Sequence, residues 1–149
     1  NLSRVEAKQS FLYYREAISP LVANMLERLD LERVAVARAM HVDTLPVLDW
    51  LADKYGSHGA DLYDCLQHTD AYAEVYTPTD VYSRYIFEDV PTGCVPMFDM
   101  GRELGLEMPL TEAVIKWASA VFNRDFYTEG RNRERLDFSL LAQAAKRAS

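Results

Sequence analysis

Residues 19–40 read SPLVANMLERLDLERVAVARAM, and this stretch decides the fold class. Ser19 is a favourable N-cap residue, and Pro20 suits the first helical position because the N–H that proline lacks has no partner there. Apolar residues then recur at helical spacing, with Val36 outside the apolar stripe. The pattern predicts a helix of about five or six turns that ends near His41.

Shorter helical patterns follow, and proline or glycine separates one from the next. The second helix is predicted to begin after Asp43 or Thr44 with Pro46 in its first turn, to pack Trp50 inward and to stop at Gly56. Further helices are predicted over residues 61–67, 97–104 and 109–122, with a last one around Leu140 and Ala144.

Two further segments, residues 109–122 and residues 69–83, differ from the other helical patterns. The helix over residues 109–122 has the broadest apolar face and is predicted to be the central buried helix. Residues 69–83 show no clean period and are predicted to form a long ordered loop. No alternation of apolar and polar residues persists long enough to predict a sheet. The sequence therefore predicts an all-α, multi-helix structure with a single domain over residues 1–149.

The composition argues against several classes of protein. A formal net charge of −7 disfavours nucleic-acid binding by general attraction to phosphate. No apolar stretch approaches the length of a membrane span. Cys65 and Cys94 lie far apart outside any CxxC pattern, so we expect free thiols in a reducing cytoplasm and no metal site. The chain starts at Asn1 inside a helical pattern, which predicts a domain excised from a longer protein.

The motifs of a complete enzyme are missing from the sequence. No GxGxxG or GxxxxGK[ST] turn is present to hold a nucleotide phosphate, and no serine lies in a GxSxG context. His41, His58 and His68 lack metal-ligand spacing, and His58 is interpreted as an exposed turn residue. No residue of the chain is therefore predicted to be catalytic.

The most unusual stretch is SRYIFEDVPTG at residues 83–93. Arg84 and Glu88 are four apart and can face the same way on one helical turn, and Asp89 can pair with Arg84 if the chain kinks at Val90-Pro91. An arginine held by a carboxylate is pre-positioned to bind a phosphate group. A buried ion pair that stabilises a kink is the alternative, and the residues alone leave both open.

A family resemblance favours the first interpretation. The chain resembles the C-terminal helical domain of octopine/nopaline (opine) dehydrogenases in an ordered set of motifs that covers nearly its whole length. These motifs are RYIFEDVPTG at 84–93, VP at 95–96, GRELG at 101–105, FLYYREAISP at 11–20, LDLERVAVA at 29–37, and DFY, EGR and Leu136 over 125–136.

The resemblance implies a two-domain enzyme with an N-terminal Rossmann domain and a helical domain similar to the 6-phosphogluconate dehydrogenase C-terminal-like fold. Such enzymes use NADH or NADPH to condense an amino acid reductively with a 2-oxo acid. The family's proton donor is a histidine. It is expected upstream of Asn1, and none of the three histidines in this chain matches it.

The resemblance also implies roles for four residues. Arg84 matches an arginine that contacts the cofactor pyrophosphate, and Asp89 matches an aspartate that pairs with this arginine and couples cofactor binding to domain closure. Tyr13 and Tyr14 are candidates for the substrate cleft, with a packing role as the alternative. The competing hypothesis for the whole chain is a non-catalytic helical interaction or regulatory module. The sequence leaves open which amino acid and which 2-oxo acid are used and whether the cofactor is NAD or NADP. It also leaves open the oligomeric state, for which a homodimer is one possibility.

Overall fold

A computed structural model of the chain describes residues 1–140 and 143. The described part contains no β-strand, which confirms the all-α prediction; one isolated bridge joins Leu12 and Tyr76. The α-helices are α1 (Leu2–Glu6), α2 (Pro20–Ala39), α3 (Val47–Tyr55), α4 (Leu62–His68), α5 (Arg84–Phe87), α6 (Val95–Glu103), α7 (Pro109–Phe122) and α8 (Phe126–Glu129). A 3-10 turn covers Asp70–Tyr72 and a π turn covers Val90–Cys94.

The chain divides into two compact units. Unit one contains Asn1–Asp30 and Leu45–Ser83, and unit two contains Leu31–Thr44 and the residues from Arg84 onward. Helix α2 contributes residues to both units, so each half of this helix belongs to a different core.

The helix boundaries follow local signals. Ser19 Oγ accepts a hydrogen bond of 3.3 Å from the N–H of Val22, which confirms the predicted N-cap of α2. Gly56 has φ of 61°, and this left-handed conformation ends α3 as predicted. Gly105, with φ of 76°, follows α6 in the same way.

Unit one is built around a small buried cluster. It comprises Ala23, Leu51, Leu62, Cys65 and Leu66. Two acids of α2 cap neighbouring helices in this unit: Glu27 accepts from the N–H of Leu62 at 2.5 Å, and Asp30 accepts from the N–H of Val47 at 2.7 Å. Carboxylates at helix N-termini satisfy free N–H groups and interact favourably with the helix dipole.

The prediction that Trp50 packs inward is wrong. Its side chain is 38% exposed and lies edge-on to Tyr55, with ring centroids 5.5 Å apart. The buried position on α3 is Leu51, one residue along and about 100° around the helix.

Unit two has the larger core, formed by residues of α2, α6, α7, α8 and the π turn. Its buried members are Val36, Val90, Val95, Phe98, Met108, Ile115, Ala118 and Phe126. Val36 is only 2% exposed, so its placement outside the apolar stripe of α2 was wrong. A single stripe does not describe α2 because its two halves pack into separate cores.

Helix α7 is not the central buried helix that its composition predicts. Thr111, Ile115 and Ala118 are buried, whereas Trp117 is 54% and Val121 is 44% exposed. The helix therefore buries one stripe of residues at i, i+4 and i+7 in unit two. Its N-terminus is capped by Glu32, which accepts from the N–H groups of Leu110 and Thr111 at 2.7 and 2.9 Å.

Residues 69–83 are an ordered loop interrupted by the 3-10 turn, as predicted. Its backbone is tied to the segment around Phe11: the N–H of Tyr13 donates to Val75 O at 2.7 Å, and the N–H of Thr77 donates to Phe11 O at 3.0 Å. The predicted last helix around Leu140 and Ala144 lies largely outside the described residues. No helix in the described part of the chain is both long and apolar enough to cross a membrane.

Candidate functional site

Arg84 begins the one-turn helix α5 in unit two. Its Nε lies 3.7 Å from Glu88 Oε2, and the two side chains are 72% and 57% exposed. The alternative of a buried ion pair is therefore wrong. An exposed pair contributes little to stability, so this geometry leaves the guanidinium available to another anionic group.

Asp89 lies at the start of the π turn and is exposed. The predicted kink at Val90-Pro91 corresponds to this π turn, in which the N–H of Val95 donates to Val90 O. The ion-pair partner of Arg84 is Glu88 rather than Asp89. Burial raises the pKa of the Cys94 thiol, and the nearby charge of Asp89 raises it further.

The π turn is anchored by a segment far along the chain. The N–H of Arg131 donates to Pro91 O at 2.9 Å. At Gly130, a Cβ would lie 2.6 Å from Pro91 O and 3.0 Å from the Cβ of Val95, so the backbone approach has room only for glycine. This contact explains why the EGR motif at 129–131 occurs together with the EDVPTG motif: the first supports the backbone of the second.

Asp99 is a buried carboxylate that sequence reasoning missed. Its side chain is 1% exposed, and each oxygen lies 3.0 Å from the hydroxyl of Tyr127. The N–H of Arg133 donates to Asp99 Oδ2 at 2.6 Å. Burial raises the pKa of Tyr127, and its hydrogen bond to Asp99 raises it further. The available sequence signal is a carboxylate among the apolar residues of α6, between Phe98 and Met100.

Tyr13 and Tyr14 lie in unit one and contact an aromatic cluster. Tyr14 stacks on Tyr72 with ring centroids 4.0 Å apart and planes 10° from parallel, and Tyr13 meets Tyr14 edge-on at 4.9 Å. Burial raises the pKa of Tyr72, and a hydrogen bond with Tyr55 adds to the rise. Because the ring faces of Tyr14 and Tyr72 cover each other, the packing role is satisfied in this unit.

Unit one also contains an open cavity with a volume of about 430 Å³. Its walls include Ser57, His58, His68 and Asp70. His58 is exposed, as predicted, while His68 Nδ1 lies 2.8 Å from Asp64 O. That the two histidines share a cavity was not evident from their spacing. Within residues 1–140 and 143, no group of three His, Cys, Asp or Glu side chains is placed to hold a metal ion.

Arg84 and Asp89 thus lie in unit two without an ion pair between them, whereas Tyr13 and Tyr14 are in contact in unit one. Within unit two, Arg84 supplies guanidinium donors suited to an anionic ligand such as a phosphate. The two cysteines are free, as predicted; Cys65 is buried and Cys94 is partly exposed.

Comparison with known proteins identifies the family of this chain. The family described as NAD/NADP octopine/nopaline dehydrogenase, alpha-helical domain, matches residues 1–122. An opine dehydrogenase of Arthrobacter sp. (strain 1C) is 37% identical over 149 residues, which are all of this chain and 42% of that protein.

Solved structures of octopine dehydrogenase share the fold at 20% identity. One, described with NADH and L-arginine, has a TM-score of 0.75 and matches 91% of this chain and 42% of that one. Another, described with NADH and pyruvate, has a TM-score of 0.68 and matches 89% and 39%. The chain thus spans less than half of these proteins. It belongs to the octopine/nopaline dehydrogenase family, as the alpha-helical domain.

Proposed function

We propose that this chain is the helical substrate-binding and closure domain of an NAD(P)-dependent opine dehydrogenase, which reductively condenses an amino acid with a 2-oxo acid. Membership of the family and the 37% identity to the Arthrobacter opine dehydrogenase support this activity. The substrate classes are supported by the octopine dehydrogenase structures described with L-arginine and with pyruvate. The same comparisons favour this function over an interaction module without an enzymatic parent.

The observation that carries the proposal is the exposed guanidinium of Arg84. It stands on a one-turn helix next to a π turn, with Glu88 as its partner at 3.7 Å. Binding of a pyrophosphate to this guanidinium would form charge-assisted hydrogen bonds. The cofactor supplies the hydride, and Arg84 would hold its phosphate groups from the helical side.

Asp89 is proposed to couple this contact to domain closure. It is exposed, and it lies five residues after Arg84 at the first residue before the π turn. A carboxylate near a bound pyrophosphate disfavours the anion unless a cation lies between them. Asp89 would therefore act on the cofactor through Arg84, by pairing with it on closure in place of Glu88, its partner in this structure.

Tyr13 and Tyr14 are proposed to face the substrate cleft. Both residues are half-buried, so neither is fully enclosed by the contacts within unit one. Partly exposed tyrosines present an apolar ring and a polar hydroxyl to a ligand.

The remaining parts of the enzyme are proposed to lie outside this chain. They are an N-terminal Rossmann domain and the histidine that donates the proton, since no histidine here matches the family's donor. The chain alone is expected to show no NADH- or NADPH-dependent turnover. We also propose a cytoplasmic location, which the two free thiols support.

Arg84→Ala in the full-length enzyme tests the proposal. We expect the cofactor KM to rise more than tenfold, a loss of about 1.4 kcal/mol or more from one charge-assisted contact. Steady-state kinetics with cofactor varied at saturating amino acid and 2-oxo acid measure this. Arg38→Ala is the matched control, because Arg38 is exposed on α2. An unchanged cofactor KM in the Arg84 variant, or micromolar NADH binding to the chain alone by calorimetry, contradicts the proposal.

A further inference from the structure

We propose that Gly130 is a positioning residue that holds the cofactor-contacting segment in place through the π turn. This inference rests on the proposed function of Arg84 and Asp89. It assigns a role to a contact between two segments far apart in the chain.

The π turn between α5 and α6 needs external support. Pro91 has no N–H to contribute to a helical ladder, and a π turn is a wider and rarer conformation than an α-helix. Such turns persist where surrounding contacts hold them. Val90 and Pro91 are buried, so those contacts come from the unit-two core rather than from solvent.

The support comes from residues 130 and 131. The N–H of Arg131 donates to Pro91 O at 2.9 Å. Gly130 has φ of −80°, which any residue adopts, so glycine is not needed there for conformational freedom. It is needed for space, because a Cβ would lie 2.6 Å from Pro91 O, 2.8 Å from Phe126 O and 3.0 Å from the Cβ of Val95.

The supporting segment is itself held firmly. Asn132 is 2% exposed, and its Nδ2 donates to Tyr127 O at 3.0 Å. The Tyr127 hydroxyl and the N–H of Arg133 both bond to the buried carboxylate of Asp99. A methyl group at position 130 would therefore displace the π turn more readily than the segment that carries it.

Displacement of the π turn would reach the cofactor-contacting residues directly. Asp89 immediately precedes the turn. The N–H and hydroxyl of Thr92 donate to Glu88 O at 3.0 and 2.7 Å, and Glu88 is the ion-pair partner of Arg84. The chain of contacts thus runs from Gly130 through Pro91 and Thr92 to the guanidinium.

The test is Gly130→Ala in the full-length enzyme. The cofactor KM is expected to rise about five- to tenfold, while kcat and the amino acid KM change less than twofold. A merely structural role predicts the opposite pattern: a lower melting temperature or active fraction with the cofactor KM unchanged, and that result overturns the inference. Gly101→Ala is the matched control, because the three atoms nearest to a Cβ added there belong to the Met108 side chain and none belongs to the π turn.

A double variant separates this inference from the proposed function. Combined with Arg84→Ala, Gly130→Ala is expected to add less than a twofold rise in cofactor KM, because both changes act through one contact. If the two substitutions instead raise the cofactor KM independently, so that the fold-changes multiply in the double variant, the positioning role of Gly130 is overturned and the role of Arg84 is unaffected. An unchanged KM in Arg84→Ala alone defeats the proposed function itself. If Gly130→Ala does not fold, Thr92→Val replaces it, with an expected two- to threefold rise; no rise overturns the inference.

Discussion

Replacing Glu32 by alanine removes the acceptor that caps helix α7. The carboxylate accepts from the N–H of Leu110 at 2.7 Å, from the N–H of Thr111 at 2.9 Å and from the Thr111 hydroxyl at 2.6 Å. Thr111 is 3% exposed, so water does not readily replace the lost acceptor. The residue before the helix, Met108, provides no side-chain cap.

The magnitude follows from these three bonds. A hydrogen bond to a charged group contributes about 1.5–3 kcal/mol, and loss of an ordinary N-cap costs about 0.5–2 kcal/mol. Because the three bonds share one carboxylate, their contributions are not additive, and we expect Glu32→Ala to lower the free energy of unfolding by about 3 kcal/mol. Glu32→Gln keeps one oxygen acceptor without the charge and is expected to cost about half as much, roughly 1.5 kcal/mol.

Urea denaturation of the 149-residue chain, followed by tryptophan fluorescence, measures the loss. Hydrogen exchange provides a local readout, since the amides of Leu110 and Thr111 should exchange faster in the variant. The exposed Glu74 provides the control, because its replacement by alanine should stay within about 0.5 kcal/mol of the wild type. A loss for Glu32→Ala no larger than for Glu74→Ala would refute the capping argument.

Two further predictions concern unit two. Tyr127→Phe removes the donor to buried Asp99 and should cost about 1.5–3 kcal/mol in urea denaturation at pH 8. Because the folded-state pKa of Tyr127 is raised above its ordinary value of 10.0, the stabilisation is complete below pH 10 and is lost as pH rises through the folded value. A difference in the free energy of unfolding between the wild type and the Tyr127 variant that stays constant above pH 10 would contradict this. Asp125→Ala removes the side-chain cap of α8 and should cost about 1 kcal/mol at pH 7. The hydrogen bonds from Thr128 lower the pKa of Asp125, so its stabilisation is present above the ordinary value of 3.8 and lost as pH falls through the folded value. Urea denaturation of the wild type and the Asp125 variant at decreasing pH checks this. A difference in the free energy of unfolding that persists well below the ordinary pKa of aspartate counts against it.

Local signals predicted several of the helix boundaries, whereas α8 was not predicted. Ser19 caps α2, and the glycines at positions 56 and 105 adopt the left-handed conformation at the ends of α3 and α6. These features depend on a few neighbouring residues, so they can be derived from a short window of sequence. The i, i+4 spacing placed Arg84 and Glu88 on one face of a helical turn, but the partner expected for Arg84 was Asp89, and the ion pair is with Glu88.

Burial was harder to predict from such windows. Val36 is buried, while Trp50 and Trp117 are partly exposed, against the pattern in each case. An apolar stripe predicts that a helix packs, but the partner helices decide which of its residues is covered. Helix α2 illustrates the difficulty, because it supplies residues to two cores and no single stripe fits both.

The all-α class and several helix ends were therefore accessible from the amino-acid sequence alone. The tertiary structure decided the π turn's anchor at Gly130, the burial of Asp99 and the cap that Glu32 places on α7. Glu32 and Thr111 are 79 positions apart, and Asp99 and Arg133 are 34 apart. Contacts over such separations exist only after folding brings distant segments together, and no local preference of the chain encodes them.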